Sequence, residues 1–236
     1  MIYILIAAII LLGAFIVLIA LNHFGFIESY HPMKKAKDGQ IKVACVGDSI
    51  TYGCTVKNRS KNNYPAVLGR MLGDKYCVNN FGYTNRTAIK DADYPYTKER
   101  LYQQSLDFKP DVVVIMLGSN DTKKNNWNKE KFTNDYCEIL DSYLNSASKP
   151  EVYLLVPTPF FEIRGKIMWQ LRKDIMIHEV YPAIKKIASD KRIHLIDMSK
   201  AFENRRELFS DGVHPNSKGS KKFAEIVFES IKQSVK

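Results

Sequence analysis

The hydrophobic pattern divides the chain into two unequal parts. Residues 2–21 carry no charge and almost nothing polar. Twenty helical residues rise about 30 Å, the thickness of a bilayer core, so the run predicts a single transmembrane anchor over residues 1–22. A cleaved signal peptide is the competing reading. Met1 is followed at once by apolar residues with no basic n-region, and no Ala-x-Ala site follows, which favours an uncleaved anchor. Residues 23–40 then read as a juxtamembrane linker punctuated by Gly25, Pro32 and Gly39, with Phe24, Phe26 and Tyr30 placed to lie in a membrane interface.

From residue 41 onward, apolar runs alternate with helical spacing. Residues 41–46 are mostly apolar without alternation, as in a strand buried on both faces. Residues 64–72 have helical spacing, with Pro65 suited to the first turn and Gly73 as a stop. A short strand is expected over 76–79, then a polar loop over 80–93 and a helix over 98–106. The run 111–117 (Asp-Val-Val-Val-Ile-Met-Leu) is the strongest strand signal and predicts a central position. A loop over 118–128 and a helix over 129–144 follow, then a strand over 152–156 and a loop over 157–165. Residues 167–188 read as helix interrupted at Pro182, 193–196 as a last strand, and 217–231 as the final helix. Five β-α units predict a parallel sheet covered on both faces. The right-handed crossover rule sends the loops that begin at Gly47, Asn80, Gly118, Pro157 and Asp211 to one edge.

Two of those loops carry candidate chemistry. Ser49 follows the first strand in Val46-Gly47-Asp48-Ser49, at the carboxyl end where open α/β sheets hold ligands. Asp48 or Ser49 can cap a short helix there. A serine hydroxyl needs a base within hydrogen-bond reach. His214, three residues after Asp211 in a turn, supplies a base and an orienting acid. Asp197, at the end of the last strand, is a second candidate acid.

These stretches resemble the SGNH (GDSL-type) hydrolase family of esterases and lipases. Gly47-Asp48-Ser49-Ile50-Thr51 is similar to its first block and Asn80-Phe81-Gly82 to its second. Gly118-Ser119-Asn120-Asp121 is similar to the third, and Asp211-Gly212-Val213-His214-Pro215 to the last. The resemblance spans about residues 40–235, with the blocks in the family's order. It implies a flavodoxin-like three-layer α/β/α sandwich on a five-stranded parallel sheet, and a catalytic domain over 41–236. It implies ester hydrolysis through an acyl-enzyme on Ser49, with His214 as base and Asp211 rather than Asp197 as the acid. It also implies an oxyanion hole from the Ser49 and Gly82 N–H groups and the Asn120 amide. Asp48 and Asp121 are expected to organise the loops, Asp121 by bonding backbone N–H groups and aiming Asn120. There is one departure. The family's second block often ends in Ser-Gly, where this chain has Thr84-Asn85; Asn tolerates a left-handed backbone better than most residues.

Aromatics mixed with amides and arginines in the loops suit a sugar face or a headgroup better than a long acyl tunnel. Tyr83, Asn85, Arg86, Trp127, Phe160 and Arg164 are the expected substrate contacts. The stretch 80–127 resembles the family's carbohydrate acetylesterases most, so the expected reaction is removal of O-acetyl groups from carbohydrate. The alternatives are a lysophospholipase or thioesterase, and a binding module for envelope glycans that has lost turnover.

Composition changes this picture little. Lys and Arg exceed Asp and Glu by ten, 35 against 25. The surplus is scattered apart from Lys34, Lys35 and Lys37, and no zinc-finger or aromatic RNA-binding signature accompanies it, so no nucleic-acid partner is expected. The spacing of Cys45, Cys54, Cys77 and Cys137 suggests neither a metal site nor a disulfide framework, and no cofactor is expected. The lysine cluster after the apolar run would keep the domain cytoplasmic by the positive-inside rule. The family resemblance places it outside, and an extracytoplasmic domain on a cell-membrane anchor is the reading adopted.

Overall fold

The computed structural model of the chain describes residues 2–23 and 31–234. Phe24, Phe26 and Tyr30 lie outside the described residues. Five strands form one sheet in the order β2-β1-β3-β4-β5, every pairing parallel. They are β1 (Ile41–Gly47), β2 (Tyr76–Gly82), β3 (Val112–Met116), β4 (Glu151–Val156) and β5 (His194–Asp197). β3 is central and all five of its side chains are buried, as its unbroken apolar run predicts.

The N-terminal run is helical, α1 (Ile2–His23), but the transmembrane anchor predicted for it is corrected. Among the described residues, no helix is long and apolar enough to cross a membrane. The membrane as a partner and the cell-membrane localisation rested on that anchor, and the extracytoplasmic side, read from the family resemblance, was the side of a domain held by it; none is carried forward. Part of the expected linker packs on the domain. Lys34 N–H donates to Asn79 Oδ1, and Asn79 Nδ2 donates back to the Lys34 carbonyl, both at 2.9 Å.

After α1, the short α2 (Ser49–Tyr52) follows β1 directly. The longer helices are α3 (Tyr64–Leu72), α4 (Arg100–Asp107), α5 (Lys129–Leu144), α6 (Tyr181–Lys191) and α7 (Ser217–Ser234). Strand side chains alternate between faces, so two cores result. Val43, Cys45, Val114, Met116 and Leu155 pack with Leu68 of α3 and Phe223 and Val227 of α7. Ala44, Val46, Val113, Ile115 and Leu154 pack with Leu101 of α4, Tyr136 and Ile139 of α5 and Ile184 of α6. The result is the expected three-layer α/β/α sandwich.

Two elements differ from the sequence reading. β2 runs three residues further, through Asn80-Phe81-Gly82, because those residues stay in register with Cys45, Val46 and Gly47 and Phe81 fills the core. The helix expected over 167–188 with an interruption at Pro182 breaks earlier instead. A 3-10 turn (Met168–Gln170) and a π-helical turn (Met176–Val180) precede α6. Pro182 is the second residue of α6, directly after the π-helical turn.

Candidate active site

The register brings the carboxyl ends of β1, β2 and β3 level, with Gly47 opposite Gly82 on one side and Met116 on the other. At Gly82 a Cβ would lie 2.4 Å from the Tyr52 nitrogen and 2.7 Å from the Thr51 carbonyl carbon. Only glycine lets β2 pass this close to α2. Beyond Gly47 the chain turns at Asp48, whose Oδ1 accepts the Ile50 N–H at 3.0 Å and caps α2. Ser49 is the first residue of that helix.

His214 reaches Ser49 from 165 residues away, its Nε2 2.8 Å from Ser49 Oγ. Its Nδ1 is 2.6 Å from Asp211 Oδ2. A carboxylate only accepts, so Nδ1 carries the hydrogen and Nε2 presents its lone pair to the Ser49 hydroxyl. Asp211 Oδ1 accepts the Val213 and His214 N–H groups at 3.0 and 2.8 Å, which locks acid and base in one turn. Burial pushes the Asp211 carboxyl up. The hydrogen bond and charge of His214, with the two backbone N–H groups, outweigh it and hold the group well below the usual carboxylate range. The turn needs Gly212 at φ 82, where a Cβ would meet the Phe161 carbonyl oxygen at 2.2 Å. Asp197 is occupied elsewhere, paired with Lys185 at 2.7 Å and accepting from Ser199 Oγ.

Two further carboxyls lie fully buried beneath this line. Asp121 accepts the Ala88 and Ile89 N–H groups, each at 2.9 Å, and so ties the loop after β2 to the loop after β3. Burial pushes its pKa up to about 7 against those bonds. Burial likewise pushes Asp48 up to about 6, opposed by the Ile50 N–H, the charge of His214 and Ser119. Asp48 Oδ2 has no hydrogen-bond partner among the described residues.

A cavity of about 180 Å³ opens over Ser49 and His214, walled by Asn85, Asn120, Trp169 and Leu171. Asn120 Nδ2 spends one hydrogen on the Arg86 carbonyl at 3.1 Å and has a second. Gly82 does not line the cavity, and its N–H donates to Asn80 Oδ1 at 2.8 Å. Asn85 does line it, in the left-handed conformation at φ 61.

Of the expected substrate contacts, Asn85 alone reaches this cavity. Tyr83 packs edge-on against Tyr52, with the Arg86 guanidinium 4.6 Å above its ring. Arg86 is held by Glu99 at 2.9 Å and by the Thr84 carbonyl. Trp127 is half-buried against Phe132 at the edge of the core, and Phe160 is buried within it. Arg164 is exposed, at the tip of a turn bridged by Ile163 and Lys166.

Sequence reasoning missed Trp169. Its indole Nε1–H donates to Asp211 Oδ2 at 3.2 Å, and its ring lies 6.2 Å from that of His214. It and Gln170 are both left-handed, at φ 65 and 59, a conformation that costs on the order of 1–3 kcal/mol for a non-glycine residue. Ile167-Met168-Trp169-Gln170-Leu171 has no Gly or Pro to mark the break.

A serine hydroxyl, an imidazole and a carboxylate in one hydrogen-bonded line, at the carboxyl edge of a doubly covered parallel sheet, define the architecture of the serine hydrolases. Within that class the chain belongs to the GDSL-like Lipase/Acylhydrolase family, whose pattern matches residues 45–222. It is 35% identical over 215 residues to an acetylxylan esterase of Xylanibacter ruminicola, covering 83% of this chain and 44% of that protein. The chain spans less than half the length of the curated relatives it matches. Among solved structures it is similar to a lipase/acylhydrolase from Enterococcus faecalis, with TM-score 0.69 and 22% identity, covering 84% of this chain and 98% of that one. It is also similar to a carbohydrate acetylesterase from Sinorhizobium meliloti, with TM-score 0.66 and 19% identity, covering 83% and 100%. At these identities the structural likeness is one of fold.

Proposed function

We propose that this chain is a serine esterase that removes short acyl groups, O-acetyl groups on carbohydrate above all, with residues 41–236 as its catalytic domain. The observation that carries the reading is the unbroken line Ser49–His214–Asp211, at 2.8 and 2.6 Å, opening on a small cavity. Ser49 Oγ attacks the ester carbonyl while His214 Nε2 takes its proton. The tetrahedral intermediate collapses, the C–O bond to the alcohol breaks, and the proton on Nε2 passes to the leaving oxygen. Water then attacks the acyl-enzyme with His214 again as base, releasing acetate and restoring Ser49.

Donors aimed at the developing oxyanion contribute about 3 kcal/mol each. The Ser49 N–H and Asn120 Nδ2 take this role. The third donor is better assigned to the Asn85 N–H than to Gly82, since Asn85 lines the cavity and the Gly82 N–H is spent on Asn80. The preference for acetyl rests on size. A cavity of about 180 Å³ is below the roughly 300–1,000 Å³ of sites that enclose larger ligands. The carbohydrate reading draws on the similarity to the acetylxylan esterase.

Esters from acetyl to octanoyl test this, with Ser49→Ala as control. Catalytic efficiency should fall along the series, and the variant should be inactive while folded. Efficiency rising by about 0.8 kcal/mol of burial per methylene would support the lysophospholipase or thioesterase reading instead. An active Ser49→Ala variant would overturn the mechanism, and an inactive wild type would leave a binding module.

A further inference from the structure

The proposed reaction fixes where the leaving group must lie. Its oxygen takes a proton from His214 Nε2, so the alcohol half of the ester has to sit on the His214 side of Ser49. Trp169 is the large side chain that borders His214 there and lines the cavity. It is 56% exposed, whereas of the aromatics expected to meet substrate Phe160 is buried in the core and Trp127 is half-buried against it. Its indole is not loose. Nε1–H is anchored on Asp211 Oδ2, and two successive left-handed residues carry the ring over the site instead of letting the helix begin at 167. Bulky residues keep such a backbone where their surroundings over-determine it, and those places cluster at functional sites.

We propose that Trp169 is the platform on which the sugar ring bearing the ester rests. This builds on the esterase reading. The faces of pyranose rings present weakly positive C–H groups, which match the negative face of an indole. Asn85, on the cavity wall, supplies an amide for the ring hydroxyls. Because its N–H is tied to the acid of the catalytic line, the platform is set in the same frame as the nucleophile.

The test compares two acetyl esters, an acetylated xylo-oligosaccharide and ethyl acetate, whose leaving group has no ring. Trp169→Ala should lower kcat/KM for the oligosaccharide about tenfold, chiefly through KM. On ethyl acetate, where only the lost bond to Asp211 counts, the loss should be several-fold smaller, and a denaturation curve reports that the variant is folded. Trp169→Phe keeps a ring without the N–H and should recover most of the loss. Equal losses on both esters would make Trp169 a positioning residue acting through Asp211 and overturn the platform, as would no loss on either.

Calorimetric titration of Ser49→Ala and Ser49→Ala/Trp169→Ala with the same oligosaccharide reads binding without turnover. Binding lost with the tryptophan supports the platform. Equal binding by both, or none by Ser49→Ala, overturns it. Should the wild type hydrolyse neither ester, the esterase reading fails while the titration still decides the platform.

Discussion

Replacing Asp211 with Asn removes one charge and no heavy atoms, and the surrounding hydrogen bonds dictate how the new side chain must lie. Oδ1 accepts two backbone N–H groups, from Val213 and His214. The amide oxygen has to take that place, because an NH2 there would leave both donors unsatisfied at about 1–3 kcal/mol each. The NH2 then falls where Oδ2 was, 2.6 Å from His214 Nδ1, and the exposed Trp169 indole N–H that bonded Oδ2 turns to water. The NH2 can only donate, so the imidazole must turn its lone pair to Nδ1 and carry its hydrogen on Nε2. That hydrogen points at Ser49 Oγ, 2.8 Å away, and the imidazole can no longer accept the serine proton. An inverted tautomer of this kind lowers turnover about 10⁴-fold in Ser-His-Asp hydrolases, or about 5.5 kcal/mol of transition-state stabilisation. Initial rates of acetate release from a short ester, beside a denaturation curve for each protein, give the measurement. A folded Asp211→Asn protein within about tenfold of wild type would refute the reasoning.

Two further outcomes follow from the same geometry. Asn120→Ala should lower kcat about 10²–10³-fold with little change in stability, since it removes one bond to the Arg86 carbonyl and leaves the bond from Asn126 to the Asn120 carbonyl intact; steady-state kinetics on a short acetyl ester check it, and an unchanged kcat would remove Asn120 from the oxyanion hole. Burial raises the Asp48 carboxyl from 3.8 to about 6, so the folded state holds that proton more tightly than the unfolded state does. Stability attributable to Asp48 is present at low pH, falls as pH rises from about 4 to about 6, and is level above. Asp48→Asn keeps the acceptor for Ile50 and should therefore gain up to about 3 kcal/mol over wild type above pH 6 and nothing at pH 4. Urea titrations at the two pH values test the sign, and an equal difference at both would contradict it.

The fold was legible where burial is simple. β1 and β3 announce themselves because a strand covered on both faces needs no polar alternation, and the loops after them are marked by Gly47 and Gly118. β2 was read short because Asn80 and Gly82 look like loop residues. Asn80 is polar for a local reason, its amide being divided between the Thr51 carbonyl and the Gly82 N–H. Such side-chain bonds to neighbouring backbone let a polar residue remain in a buried strand. The motif marks Gly82 as special, and there β2 and α2 touch.

The proposed catalytic line and the cavity wall differed in legibility for a physical reason. Ser49, Asp211 and His214 are bound to their neighbours by local turns whose residues the sequence spells out: Asp48 caps α2, and Asp211 caps the turn that holds His214. The bond from the Phe161 N–H to the Gly212 carbonyl and the packing of α7 on α3 then hold the second turn beside the first. Whether an arginine or a tryptophan faces the cavity is instead a question of tertiary partners. Arg86 and Trp127 have the chemistry of sugar contacts and lie in the right loops, yet Glu99 takes one and Phe132 the other. Trp169 has the same chemistry in a stretch whose spacing favours helix, and helix would have carried it along the spacing of 167–188. Two left-handed residues set it over the site, and nothing local favours them. A conformation that local propensity opposes, in a bulky residue touching the catalytic acid, is where sequence reasoning should be expected to fail, and where substrate recognition is most profitably sought.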